Sequence, residues 1–153
     1  MKRYFLFLTL VFAAMSFSCE EQLLPSEENR REILEYLETN NIDATEHISG
    51  LYYTIEEEGT GTEMPSVNSR VEVKYKGYLT DGFVFDETQG DNTAEFALGQ
   101  VITGWRIGIT LMKKGGKATF IIPSNLGYGF RGTNTIPPNA VIIFDVELIN
   151  FSQ

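Results

Sequence analysis

The 153-residue chain is 42% apolar and contains eleven Phe and seven Tyr, which is enough to build one packed domain with additional segments. Twelve basic residues stand against 21 acidic ones, and the resulting formal charge of −9 argues against binding to nucleic acid or to anionic lipid headgroups. The single Cys and the single His rule out an intrachain disulfide and argue against a Cys/His zinc site, a Ser-His-Asp triad or a Cys-His pair.

The first 18 residues have the three-part layout of a secretory signal peptide. A basic start precedes an apolar run at residues 4–14, which is too short for a membrane-spanning helix of about 20 residues. Residues 16–19, Ser-Phe-Ser-Cys, resemble a bacterial lipobox. We therefore expect residues 1–18 to be a lipoprotein signal peptide and Cys19 to carry the acyl chains (palmitate-type) that anchor the protein to a membrane. The alternative is an ordinary cleavable signal.

A tether and a helix are predicted before the main domain. Residues 19–28 are polar and are expected to form the tether; their acidic start resembles a surface-export signal of Bacteroidetes-type lipoproteins, or is simply solvated. Ser26 is the predicted N-cap of a helix over about residues 27–39, which Asn40-Asn41 should end. The helix and its connector occupy residues 27–47 and are expected to lie against the domain.

Residues 48–153 are predicted to form that domain, from short strands and one buried helix. Ile102, Trp105, Ile109 and Met112 form one stripe of a helix that is apolar nearly all round and that Gly115-Gly116 should end. Alternation and turn residues predict strands on both sides of it. The fold class is α+β: a curved antiparallel sheet of five or six strands wrapped around one short central helix. The predicted strands are 51–55, 71–76, 83–85, 95–98, 117–122 and 141–151.

Aromatic side chains close to polar residues are the main functional signal in this domain. If the sheet curls around the helix, they could line one concave apolar pocket, which is the usual form of a small binding site. The sequence contains no apparatus for bond cleavage. The residues are Tyr75, Phe85, Asp86, Trp105, Tyr128 and Phe144.

Seven motifs, in register over about residues 50–151, make the chain similar to the FK506-binding-protein-type peptidyl-prolyl cis–trans isomerases. With the lipobox, the whole chain resembles the gliding-motility-associated isomerase lipoproteins of Bacteroidetes. The motifs are VEVKYKGYL at 71–79, DGFVFD at 81–86, FALG at 96–99, VITGW at 101–105 with Gly108 and Met112, GGKA at 115–118, IP at 122–123 with LGYG at 126–129, and IPPNA at 136–140 with FDVEL at 144–148.

The resemblance implies a role for each site residue. Trp105 would be the floor under the substrate proline ring, and the backbone N–H of Ile102 and the hydroxyl of Tyr128 would donate hydrogen bonds to peptide carbonyls. Asp86 would hold the polar rim, and Ile136 would cap the pocket. The catalytic set is Tyr75, Phe85, Asp86, Trp105, Tyr128 and Phe144, and the substrate-binding set is Val101, Ile102 and Ile136.

The implied activity is rotation of X–Pro bonds, whose barrier is about 18–20 kcal/mol. A dry aromatic pocket favours the twisted amide, which carries less charge separation than the planar one, so neither a cofactor nor a metal is needed. The expected partners are proline-containing unfolded or exported polypeptides, bound by a monomer in the cell envelope. Two alternatives stay open: a non-catalytic chaperone or assembly factor that uses the same pocket, and a tethered structural lipoprotein.

Two differences from the family pattern predict a more open pocket. Ala94 occupies a position where many relatives carry an aromatic wall, and the loop at 130–135, whose one aromatic residue is Phe130, lacks the aromatic or His that others place within it.

Overall fold

The computed structural model describes residues 24–153, so the predicted signal peptide at 1–18, the acylated Cys19 and the first part of the tether lie outside the described residues. Among the residues that it describes, no helix is long and apolar enough to cross a membrane.

Seven strands form one antiparallel sheet in the order β1-β2-β6-β7-β3-β4, with β5 also paired to β3. The predicted α+β fold with an antiparallel sheet around one short helix is therefore confirmed. The additional strand is β1, whose two residues are too few to show a periodicity. The elements are α1 Pro25–Asn40, β1 Thr45–Glu46, β2 Tyr52–Glu57, β3 Arg70–Leu79, β4 Val84–Glu87, β5 Ala94–Ala97, α2 Thr103–Ile109, β6 Lys117–Ile122 and β7 Ile142–Ser152.

The inner face of the sheet packs against α2, because alternate residues of each strand point to the same side. Gly104 permits the close approach: a Cβ there would lie 2.6 Å from a side-chain carbon of Ile122. Together the helix and this face form the larger of two core clusters. Its fully buried side chains include Val71, Val73, Ile109, Met112, Phe120, Ile122, Ile142 and Leu148.

Helix α2 is shorter than its apolar stripe suggested. It ends at Ile109, and the predicted end at Gly115-Gly116 is wrong. The chain leaves the helix through tight turns, in which the N–H of Leu111 donates to the carbonyl of Gly108 and that of Met112 to Ile109. Met112 is nevertheless buried, so the apolar pattern indicates burial that continues beyond the end of the helix.

Helix α1 packs on the outer face of the sheet. Ile33 is buried there against strand residues in the second core cluster. The side chain of Asn29 donates to the carbonyl of Asn139 and accepts from the N–H of Ser124, both at 2.8 Å. The predicted position of this helix against the domain is therefore confirmed.

The start of α1 differs from the prediction and its end agrees. The helix begins at Pro25, so Ser26 is not its N-cap, and the last residues of the predicted tether are helical. Proline suits a first helical position because that position needs no N–H donor. At the other end the helix stops at Asn40 and Asn41 adopts the left-handed cap conformation, as the Asn-Asn pair predicted.

Candidate active site

A cavity of about 300 Å³ opens on the inner face of the sheet, beside the N-terminal end of α2. Its volume falls at the lower end of the range of small-molecule sites. The walls are mostly aromatic and aliphatic, with a few polar groups. The cavity is lined by Tyr75, Asp86, Phe96, Gln100, Val101, Ile102, Trp105, Tyr128 and Phe144.

Trp105 forms the floor of the cavity and is 4% exposed. Three rings meet it edge to face: those of Tyr75, Phe96 and Phe144, with centroids 5.2, 5.3 and 5.1 Å away. Edge-to-face pairs of this kind are favoured by the aromatic quadrupole. The indole is therefore held in one orientation, and the small part of it that stays accessible lines the cavity.

The register of the central strands brings two of these rings together. Tyr75 of β3 and Phe144 of β7 point to the same face and lie 6.2 Å apart between centroids. Gly77, also on β3, leaves room for the rings of Phe144 and Phe85. A Cβ at Gly77 would lie 2.6 Å from a ring carbon of each. A glycine on β3 is thus required by the packing of the site.

The polar rim of the cavity is built around Asp86. The hydroxyl of Tyr75 donates to its carboxylate at 2.7 Å. Burial, and next the neighbouring Asp86 carboxylate, raise the pKa of Tyr75 far above its ordinary value. Burial and the charge of Asp86 also raise the pKa of Tyr128. Both phenols therefore stay protonated at neutral pH and can act as hydrogen-bond donors.

Two donors on the cavity wall are free of other partners. The N–H of Ile102, the residue before α2, makes no backbone hydrogen bond within residues 24–153, and the hydroxyl of Tyr128 likewise has no protein partner there. Tyr128 is 39% exposed. Two unoccupied donors beside an apolar floor suit a ligand that has an apolar ring flanked by carbonyl groups.

The structure places seven of the nine residues predicted from the sequence on the cavity wall, and the other two, Phe85 and Ile136, belong to the packing of the same core cluster. Phe85 packs edge to face on Phe144, with centroids 5.4 Å apart, and does not line the cavity. Ile136 is 4% exposed in the inner core cluster, below the loop that follows Tyr128. Their predicted roles in ligand binding therefore stay predictions, with Phe85 one ring away from the cavity wall.

Two lining residues, Phe96 and Gln100, were not in the predicted set. Phe96 belongs to β5 and faces the cavity because it pairs with Val71 in the register with β3. Its place in the Phe-Ala-Leu-Gly motif was a usable signal. Gln100 ends a short 3-10 turn, at Leu98–Gln100, and no pattern in the sequence indicated its position.

A match to the family described as FKBP-type peptidyl-prolyl cis-trans isomerase covers residues 61–149. The chain is 45% identical over 127 residues to the FKBP-type peptidyl-prolyl cis-trans isomerase FkpA of Aeromonas hydrophila, a match that covers 80% of this chain and 46% of that protein. A probable FkpA of Neisseria meningitidis serogroup B is 47% identical over 103 residues, covering 66% of this chain and 38% of that protein. The chain thus spans less than half the length of these curated relatives.

Two solved structures share the fold. The crystal structure of FkpA from Escherichia coli has a TM-score of 0.74 at 38% identity, and the match covers 83% of this chain and 61% of that one. A peptidyl-prolyl cis-trans isomerase from Pseudomonas syringae pv. tomato has a TM-score of 0.72 at 32% identity, with 86% and 99% of the two chains covered.

Proposed function

Because the chain belongs to the FKBP-type peptidyl-prolyl cis-trans isomerase family, we propose that its cavity catalyses rotation about X–Pro bonds in polypeptide substrates. The observation that carries this proposal is the floor of the cavity: one indole held edge to face by three aromatic rings and open towards the cavity. The roles of the lining residues in catalysis are part of the proposal.

The chemistry follows from the environment of the bound bond. The proline ring lies over Trp105, and the apolar walls replace the water around the amide. A planar amide is stabilised by charge separation, which a dry pocket solvates poorly, whereas the twisted amide of the transition state has lost most of it. The site therefore binds the twisted form better than the planar one.

Hydrogen bonds from the free donors fix the bond for rotation. The N–H of Ile102 and the hydroxyl of Tyr128 each have an open position for a peptide carbonyl, which holds one side of the bond while the other rotates. Asp86 keeps the hydroxyl of Tyr75 oriented at the rim. No covalent bond is made or broken, and no proton needs to leave the protein.

A protease-coupled assay on proline peptides tests the activity, because the protease cleaves only the trans form. The full chain, solubilised in detergent, should raise the rate of cis-to-trans conversion in proportion to its concentration. Tyr128→Phe, which removes only one rim hydroxyl, should retain part of the rate. A rate for the wild type equal to that of buffer would end the proposal.

We further propose that the protein works on exported polypeptides at the cell envelope, as a monomer anchored through acylated Cys19. The layout of residues 1–19 supports export and the acyl anchor. Mass spectrometry of the N-terminal peptide should find acyl chains on Cys19, and Cys19→Ser should move the protein from the detergent phase to the aqueous phase. An unmodified, cleaved N-terminus would contradict the anchor. A role in gliding motility follows only from the resemblance, and deletion of the gene tests it.

Binding without catalysis is the second candidate function, as a chaperone or assembly factor. It is favoured by two exposed rings: the cavity residue Tyr128 is 39% exposed, and Phe130, two residues later in the chain, is 73% exposed. An exposed aromatic rim can hold an unfolded chain whether or not its proline isomerises. Suppression of aggregation by the wild type, without any effect on the isomerisation rate, would favour this candidate over the first.

A further inference from the structure

We propose that Thr88, the residue that follows β4, is a positioning residue of the site, acting through the Tyr75–Asp86 hydrogen bond. Thr88 does not line the cavity. It holds the backbone of Tyr75, and thereby sets where the phenol meets the carboxylate. The proposal rests on the proposed isomerase function, and it adds a residue that the family motifs and the cavity do not indicate.

The first observation is a gap in strand pairing along the outer edge of β3. Residues 70–73 pair with β5, and residues 76–78 pair with β4. On that edge no strand within residues 24–153 pairs with Lys74 or Tyr75. A backbone N–H left unpaired in a half-buried strand is unfavourable, so the donor of Tyr75 needs an acceptor from elsewhere.

Thr88 fills this gap with three hydrogen bonds. The N–H of Tyr75 donates to the Thr88 hydroxyl oxygen at 3.1 Å, and that hydroxyl donates to the carbonyl of Tyr75 at 3.3 Å. The N–H of Thr88 donates to the same carbonyl at 3.0 Å. A hydroxyl is the side-chain group that can accept and donate at one atom, so both backbone groups of Tyr75 are satisfied.

Thr88 and Asp86 hold Tyr75 at its two ends. Asp86 accepts from the phenol at one end of the tyrosine, and Thr88, two residues later, binds the backbone at the other end. A shift of the Tyr75 backbone would therefore change the phenol–carboxylate distance directly. It would also move a ring that lies 5.2 Å from the indole of Trp105.

The test compares Thr88→Val, which keeps the shape and removes the hydroxyl, with Thr88→Ser, which keeps the hydroxyl. We expect kcat/KM of Thr88→Val to fall about tenfold and that of Thr88→Ser to stay within about twofold of the wild type. Thr119→Val makes the same chemical change on the outer face, where the single proton of the Thr119 hydroxyl is shared between the carboxylates of Glu56 and Asp145, and should leave kcat/KM unchanged.

A double-mutant cycle separates positioning from general destabilisation. In a Tyr75→Phe background the phenol–carboxylate bond is already absent, so Thr88→Val should lower kcat/KM by less than about threefold further. A full, additive tenfold loss in that background would overturn the proposal, as would failure of Thr88→Ser to restore the rate.

A spectroscopic readout keeps this test independent of the proposed activity. Trp105 is the only Trp in the chain, so its emission reports the floor of the cavity. Thr88→Val should shift that emission at a temperature where the protein is fully folded, and Thr88→Ser and Thr119→Val should not. If the wild type lacks isomerase activity, the proposed function falls while the emission still decides whether Thr88 positions Tyr75. Identical emission in all four proteins would reject the role of Thr88.

Discussion

The two faces of the same sheet differ sharply in chemistry. The inner face carries aromatic and aliphatic side chains around α2 and the cavity. The outer face is covered by α1 over one part, around Ile33, and elsewhere carries a row of charges that alternate in sign from strand to strand. In the order of the strands, that row is Glu57, Lys117, Glu147 and Lys74, with Asp91 beyond Lys74 at 3.3 Å.

One strand contributes to both faces because its side chains alternate. In β7, Phe144 lines the cavity and its neighbour Asp145 accepts hydrogen bonds from Thr119 and Tyr78 on the outer face. In β3, Tyr75 faces the cavity between two lysines that point outward. We therefore expect activity and stability to be separable: changes on the inner face should affect both, and changes on the outer face only stability.

The largest effect is expected from the floor of the cavity. Trp105→Leu should lower kcat/KM on the order of 100-fold, which corresponds to about 2.7 kcal/mol of transition-state stabilisation. The loss of stability should be smaller than for most large core truncations, because the indole N–H is buried and has no hydrogen-bond partner among the described residues. Peptide isomerisation and urea denaturation measure the two quantities.

Full activity of Trp105→Leu would contradict the assignment of activity to the inner face. It would mean that the indole serves only the core, and that catalysis, if present, occurs elsewhere on the surface.

On the outer face, the corresponding truncation of a buried side chain is Ile33→Ala. Ile33 is 1% exposed between α1 and the sheet, and its truncation should lower the free energy of unfolding by about 2–5 kcal/mol. The kcat/KM of the folded protein should stay within about twofold of the wild type, because the cavity and this cluster have no residue in common and lie on opposite faces of the sheet. Activity measured below the unfolding transition checks this. A loss of activity in fully folded protein would show that the two faces are coupled.

Two tyrosines of β3 make the same kind of hydrogen bond on opposite faces of the sheet. Tyr75 donates to Asp86 on the inner face at 2.7 Å, and Tyr78 donates to Asp145 on the outer face at 3.2 Å. Each Tyr→Phe change should cost about 1 kcal/mol of stability, the usual net value of one such bond. Only Tyr75→Phe should also lower kcat/KM, by about tenfold, when both variants are assayed with the same peptide.

The same pair predicts an alkaline limit to stability. Burial is the main cause that raises the pKa of Tyr75 and of Tyr78 above the ordinary value, with the nearby carboxylates adding to it. A pKa raised on folding stabilises the protein below the unfolded pKa, about 10, and this contribution is lost as the pH rises through the folded value. Stability should therefore fall above about pH 10, and less so in either Tyr→Phe variant. If the pH midpoint of alkaline unfolding were the same in both variants as in the wild type, these two tyrosines would not be the cause of the loss of stability.

The alternating pattern of the strands predicted the faces of the sheet, since Val71, Val73 and Tyr75 point inward and the intervening residues do not. Helix ends were less predictable. Apolar residues continue past Ile109 into turns that stay buried, so the sequence shows burial there and not helical hydrogen bonds. At α1, Pro25 rather than Ser26 sets the start.

The site was predicted where it depends on strand register and family motifs, and was incomplete where it depends on loops. The packing of Phe85 on Phe144 across Gly77 depends on contacts that no linear pattern records. Gln100 lines the cavity through a 3-10 turn that the sequence did not indicate. Such placements follow from three-dimensional packing rather than from the spacing of residue types.

The smallest effect is expected from the charged row of the outer face. In the register, Glu147 lies between Lys74 and Lys117, and Lys117 also pairs with Glu57 at 2.7 Å. Exposed ion pairs contribute little, so Glu147→Gln should shift Tm by less than about 4 °C and leave kcat/KM unchanged. In 1 M salt the shift should shrink further, because the Debye length falls to about 3 Å. Thermal melts at low and high salt measure it, and a larger shift that persists in salt would show that this row is as important to the fold as the apolar face behind it.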